Sequence, residues 1–266
     1  MTDKIPSLKE RLSKYTTKPS ALAHPVLTLL YGQAGSGKTH LAATVSNLSH
    51  VKSVLYLDTE GSTTGALHGF DDNKFEIIVI PEVIKALNES GNTVTEIQFL
   101  DSILKDLFTN GSEYDAVVLD TLDVAQDWKI KERQGINGTK GDAAFATWRE
   151  VADWTDSIGR GLKGLGKTSV VVLHDREDKT DSGSLIKRLR LGGSSKDTFA
   201  GIPDAVAYLT RKVYNVDGEE REVTIAEFGS QEGKVTKNRF GFPPSLIDPS
   251  FPKMWEHINN RQKENN

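Results

Sequence analysis

The chain has no cysteine among its 266 residues. That excludes disulfides, thiolate zinc sites and cysteine nucleophiles. It also lacks a charge excess: 33 Lys and Arg stand against 37 Asp and Glu, for a formal net charge of −4. No global basic field therefore draws in nucleic acid, and any phosphate-contacting surface has to be a local patch. No apolar run approaches the roughly 20 residues of a membrane span, and no signal-peptide pattern opens the chain. A cytoplasmic protein without a membrane partner is expected. Without secretion, the Asn110-Gly-Ser and Asn137-Gly-Thr triplets read as turns rather than glycosylation sites. What remains, 37% hydrophobic and 26% charged, suits one α/β domain of ordinary size with short extensions.

The most informative segment begins at Gly32. Residues 32–39 read Gly-Gln-Ala-Gly-Ser-Gly-Lys-Thr, between an apolar strand-like run, Val26–Tyr31, and a helix-like run, His40–Leu48. Glycines let the chain curl until successive N–H groups face the phosphates of a nucleoside triphosphate, and the lysine adds a point charge. The hydroxyl of Thr39 is placed to ligate Mg²⁺. The candidate binding set is Gly32, Gln33, Ala34, Gly35, Ser36, Gly37, Lys38, Thr39 and His40. Gly161, Gly166, Lys167 and Thr168 repeat the spacing, but a helix-like segment precedes them and a β-branched run follows. They read as a helix-to-strand connection.

Along the chain, strand-like runs at Val26–Tyr31, Ser53–Leu57, Phe75–Ile80, Ala116–Leu119 and Ser169–Leu173 alternate with helical spacing at His40–Leu48, Thr95–Phe108 and Phe145–Leu162. This alternation predicts a mostly parallel sheet covered on both faces. From Ala205 the texture changes to short strands, Ala205–Leu209, Lys212–Asn215, Glu222–Glu227 and a piece near Val235, with a hairpin turn at Asp217-Gly218. Residues 1–25 read as a flexible arm, 26–250 as the nucleotide-binding domain and 251–266 as a tail with a frayed polar end.

Hydrolysis needs carboxylates at strand ends. Asp120 follows four apolar residues, where a second metal-side acid belongs. Many AAA-type ATPases place the water-activating Glu directly after that Asp, but Thr121 stands there. The base must come from another strand. Leu55–Glu60 has the same outline as the Asp120 strand end and is its rival; separated by role, it supplies Glu60 as the base, which reaches the crevice if the Ser53–Leu57 strand lies beside the P-loop strand. His174, at the end of Ser169–Leu173, is placed to sense the γ-phosphate.

This order of parts resembles the RecA-like ATPase core. Lys237-Asn238-Arg239-Phe240-Gly241 matches the Lys-Asn-Arg-Phe-Gly motif of RadA-type recombination ATPases. Size and layout are similar to compact phage ATPases, the RecA-like branch of single-strand annealing proteins. The likeness spans about Val26–Gly241, and the four-cysteine zinc module of RadA is missing. It implies an α/β fold: a mostly parallel twisted sheet, helices on both faces and a C-terminal antiparallel hairpin extension. It also implies ATP and Mg²⁺ as cofactors, and a homo-oligomeric ring or filament in which Lys237 and Arg239 act on the neighbouring subunit's ATP.

Such cores bind DNA through two loops. Here the first carries Lys129, Lys131, Arg133 and Lys140, with Gly135, Gly138 and Gly141 for mobility. The second, Gly183–Lys196, carries Lys187, Arg188, Arg190 and Lys196 without an acid, and is expected to order only on binding. Asp175, Glu177, Asp178 and Asp181 flank it and offset its field. The implied function is ATP-dependent annealing or pairing of single-stranded DNA in phage recombination or replication, with a single-strand-binding protein as a natural partner. A helicase or helicase loader, and a DNA-independent nucleotide switch, share the same core.

Overall fold

The computed structural model describes residues 26–179, 183–216, 219–229 and 233–264. The expected arm at 1–25, the Asp217-Gly218 turn and Asp181 lie outside the described residues. Strands β1 (Leu27–Gly32), β2 (Val54–Asp58) and β4 (Ala116–Asp120) are buried along their whole length, as continuous apolar runs must be in a sheet covered on both faces. β3 (Phe75–Val79), β5 (Thr168–Lys179), β7 (Ala205–Val216), β8 (Glu219–Glu227) and β10 (Ser245–Ile247) complete the order β10-β8-β7-β1-β5-β4-β2-β3. Pairing is parallel from β7 through β3, and β7, β8 and β10 pair antiparallel. The expected fold class, a mostly parallel sheet with a C-terminal antiparallel extension, is the one observed.

The period of two along each strand sorts its side chains into two cores. Leu30, Tyr56, Val118 and Val172 face α1 (Lys38–Ala43) and a late helix, through Leu41, Phe251, Met254 and Ile258. Leu29, Leu57, Leu119 and Leu173 face the other layer. That layer contains the helices Ile80–Glu89, Glu96–Asn110, Leu122–Asn137 and Asp142–Gly164. With the short helix Thr63–Ala66 counted as α2, these four are α3 to α6; Ser195–Thr198 is α7 and Phe251–Glu264 is α8. No helix among the described residues is long and apolar enough to cross a membrane.

Several expectations are corrected. β2 lies beside β4, with β4 and β5 between it and the P-loop strand. Residues 122–137, expected to carry a mobile basic loop, form helix α5, which ends at Gly138 with φ +92°. Its Lys129 is buried between Asp101 (2.9 Å) and Glu132 (2.8 Å), so this cation belongs to helix packing and not to an exposed loop. β5 runs well past Leu173. Its polar end, Asp175–Lys179, pairs antiparallel with β6 (Leu185–Leu189), so the part of the second expected loop that carries Lys187 and Arg188 is a strand of a cross-strand ribbon with paired charges. β7 joins the two short strands expected at 205–209 and 212–215, and in place of a strand near Val235 the short β9 (Lys237–Asn238) pairs with the start of β7. The expected tail is α8, seated in the first core by Phe251, Met254 and Ile258.

Candidate functional site

The carboxyl ends of β1, β5, β4 and β2 converge on one crevice. At β1 the chain turns at Gly32, where a Cβ would lie 2.3 Å from the Leu209 carbonyl oxygen, so only glycine lets β7 pack this close. Gly37 takes φ +92° as the cap before α1. The helix expected at His40–Leu48 is α1 followed by a 3₁₀ turn at Thr44–Asn47. Lys38 folds back over the loop, its Nζ donating to the carbonyls of Gly32 (2.9 Å) and Gln33 (2.7 Å). Burial holds its ammonium below the ordinary lysine range, against the pull of Asp120, Asp123, Asp175 and Glu60. The Ser36 hydroxyl is buried without a hydrogen-bond partner. A lysine satisfied by two loop carbonyls, beside an orphaned loop hydroxyl, suits a loop whose partners are exchanged for phosphate oxygens.

The acids sit around this loop with distinct tasks. Asp120 Oδ2 accepts from the Thr39 hydroxyl (2.8 Å) and the Tyr56 hydroxyl (2.7 Å). Burial pushes its carboxyl up to about 6, although both hydroxyl bonds pull it down. A hydroxyl and one carboxylate in contact fit Mg²⁺, which keeps several waters and uses few protein ligands beside substrate phosphates. No cluster of three or more metal-ligating His, Asp or Glu exists among the described residues.

Asp58 is spent on its own turn. It accepts from the backbone of Glu60 (2.8 Å), Gly61 (2.8 Å) and Thr63 (3.2 Å) and from the Thr63 hydroxyl (2.6 Å). The turn aims Glu60 across the end of β4, where its Oε1 lies 3.5 Å from the Thr121 hydroxyl and 3.6 Å from His174 Nδ1. His174 Nδ1 is 3.0 Å from Asp123 Oδ2, and that bond raises the imidazole above its ordinary value despite partial burial. Burial pushes Asp123 up, but the bonds from His174, with the charges of His174 and Arg190, outweigh it and hold it low. Arg190 bridges Asp123 (2.8 Å) and Asp127 (3.0 Å). Tyr56 and Asp123 escaped the sequence reading. The Asp-x-x-Asp spacing of Asp120 and Asp123 across a strand-to-helix junction was the available signal, whereas Tyr56 carries no local one.

The other expected residues stand elsewhere. Lys237 opens β9 and Arg239 follows it, and β9 pairs with Ala205 and Val206. Thr28 aligns with Ala205 and Gly32 with Leu209, so these cations lie at the amino end of the sheet, about 13 Å along the strands from the P-loop. They do not face their own loop. On β6 and beyond, Lys187 pairs with Glu177 (2.5 Å) and Asp175 (3.4 Å), and Arg188 with Asp197 (2.5 Å). Arg133 reaches Glu150 at 3.4 Å. Lys131, Lys140 and Lys196 form no ion pair among the described residues.

No curated protein matches the chain. Among solved structures it is similar to the flagellar accessory protein FlaH of Methanocaldococcus jannaschii, at 11% identity and TM-score 0.44, covering 90% of this chain and 89% of that one. It is also similar to the RadB recombinase, at 18% identity and TM-score 0.39, covering 85% and 87%. The profile of AAA_24, an AAA domain, matches residues 24–240, from just before β1 to just past β9, and the chain belongs to that family.

Proposed function

We propose that the protein is a Mg²⁺-dependent ATPase that works as an assembly on single-stranded DNA in recombination-type pairing or annealing. The observation that carries the hydrolytic reading is the placement of Glu60 beside Thr121 and His174, at the rim of a crevice that also holds Lys38, Thr39 and Asp120. Lys38 and the loop N–H groups bind the polyphosphate, and Thr39 and Asp120 hold the metal side. Bound Mg²⁺ neutralises charge on the phosphate oxygens. Glu60 is the group free to orient water and accept its proton, because Asp58 is consumed by the turn and Asp120 by Thr39 and Tyr56. His174, held by Asp123 with its imidazole raised above the ordinary value, stands beside Glu60 at the same rim.

Lys131, Lys140 and Lys196 support the DNA reading as unpaired cations, and Lys187, Arg188 and Arg190 join it by exchanging carboxylate partners for phosphates. The same pairing favours a second reading, a nucleotide-switched protein that needs no DNA. The deciding measurement is steady-state ATP hydrolysis with and without a long unstructured single strand, using Lys38→Ala as the blank. Stimulation by the strand supports the first reading, and unaltered turnover supports the second. Hydrolysis persisting in Lys38→Ala would sink both.

A further inference from the structure

The amino end of the sheet carries a second charged constellation. Lys237 and Arg239, two apart on an extended segment, point to one side of β9. The turn after them is closed by Asn238, whose side chain exchanges two hydrogen bonds with the Phe242 backbone, both 2.8 Å. Lys163, in the last turn of α6, comes to the same place. One carboxylate serves this group. Asp204 Oδ1 takes Lys163 at 2.5 Å and Arg239 at 3.0 Å, while Oδ2 accepts the Leu27 N–H at 3.2 Å, at the foot of β1. Asp204 thus accepts three hydrogen bonds, none of them from Lys237, which donates to the Gly201 carbonyl instead. Burial, then the nearby charges of Arg239 and Lys163, hold the Lys237 ammonium below its ordinary value. Three cations around one buried carboxylate leave two positive charges uncompensated.

We infer that Lys163, Lys237 and Arg239 form one anion receptor, clamped by Asp204 in the separate subunit, which takes the terminal phosphate oxygens of a nucleoside triphosphate held by a second copy. The inference rests on the reading that Lys237 and Arg239 act on a neighbour, and adds to it a third cation and a regulating acid. The geometry suits a head-to-tail contact, because the P-loop lies at the carboxyl end of the sheet and the receptor at the amino end. A triphosphate competes with Asp204 for Lys163 and Arg239. A diphosphate, lacking the terminal phosphoryl group, returns them to the clamp.

The test is a set of mixtures of the full-length protein. Lys163→Ala is expected to bind ATP normally and to lose about tenfold or more in turnover, by analogy with charge-stabilising residues of phosphoryl transfer. Mixed one to one with Lys38→Ala it is expected to recover activity, since about one interface in four then joins an intact loop to an intact receptor. Asp204→Asn is expected to lower, several-fold, the protein concentration at which turnover per subunit is half-maximal. Lys163→Ala at wild-type turnover, or unrescued while Arg239→Ala is rescued by Lys38→Ala, removes Lys163 from the receptor. Failure of both mixtures removes the neighbour reading itself. An unchanged concentration dependence in folded Asp204→Asn overturns the clamp, and if that variant does not fold, the Lys163→Ala mixture alone decides the receptor.

Discussion

Glu60 owes its place to Asp58. Three backbone N–H groups and one hydroxyl converge on that buried carboxylate, so the turn is rigid and Glu60 projects from a fixed base. Replacing it with Gln keeps the side chain's shape and removes the proposed base, so nucleotide binding is expected to persist and turnover to fall by about 10²–10⁴. Equilibrium ATP binding alongside single-turnover hydrolysis checks this. Asp120 titrates near 6, above its unfolded value of 3.8. Between about pH 4 and 6 the folded chain therefore holds a proton that the unfolded chain has lost, and this residue's contribution to stability falls as pH rises. Metal-dependent nucleotide binding follows the opposite sign, strengthening as pH rises through about 6 and the carboxylate ionises. His174 is raised above 6.5, so its stabilising pairing with Asp123 is fully present below that pH and is lost as pH rises through the folded value. His174→Asn is expected to lower the melting temperature at pH 6 and to leave it nearly unchanged at high pH.

At the scale of elements, the segments read as mobile are built into packing. α5 is held by the buried Lys129 between Asp101 and Glu132, and β6 by cross-strand pairs with the end of β5. A glycine just after β6 serves close approach: the Trp148 ring lies where a Cβ on Gly192 would have to go, 2.4 Å away. The last helix makes the sharpest case. Phe251 is buried, and its N–H donates to the Thr44 hydroxyl at 2.9 Å, tying α8 to the turn that continues the P-loop helix. Phe251→Ala is expected to cost about 3–5 kcal/mol of stability, measured by urea unfolding. A frayed tail would show no change.

Across the whole molecule, the parallel strands separate two charged ends. The carboxyl end gathers Lys38, Asp120, Glu60 and His174, and the amino end gathers Lys163, Asp204, Lys237 and Arg239. On the proposed reading these are two halves of one site, which lie at opposite ends of the chain's own sheet and meet only between two copies. Turnover per subunit is therefore expected to rise with protein concentration and to saturate, whereas ATP binding does not change. Equal specific activity over a wide dilution series would contradict a shared site.

Some of this was legible in the linear chain. The phosphate-binding loop is contiguous, so its glycines, lysine and threonine declare themselves, and buried parallel strands announce themselves as apolar runs ending in Asp120 and His174. The Lys237–Gly241 motif is likewise local. The strand order is not, because parallel neighbours are set by crossovers and packing, and β2 reached the crevice from beside β4 rather than from beside β1. Nor does a basic run disclose its partners: Lys187, Arg188 and Arg190 read as free cations until the fold brought acids from β5, α5 and α7 against them. The sequence by itself determined the nucleotide chemistry, which depends on adjacent residues. Only the tertiary structure decided which acids are already engaged, which cations are already paired and at which end of the sheet each lies, because those depend on contacts between residues far apart in the chain.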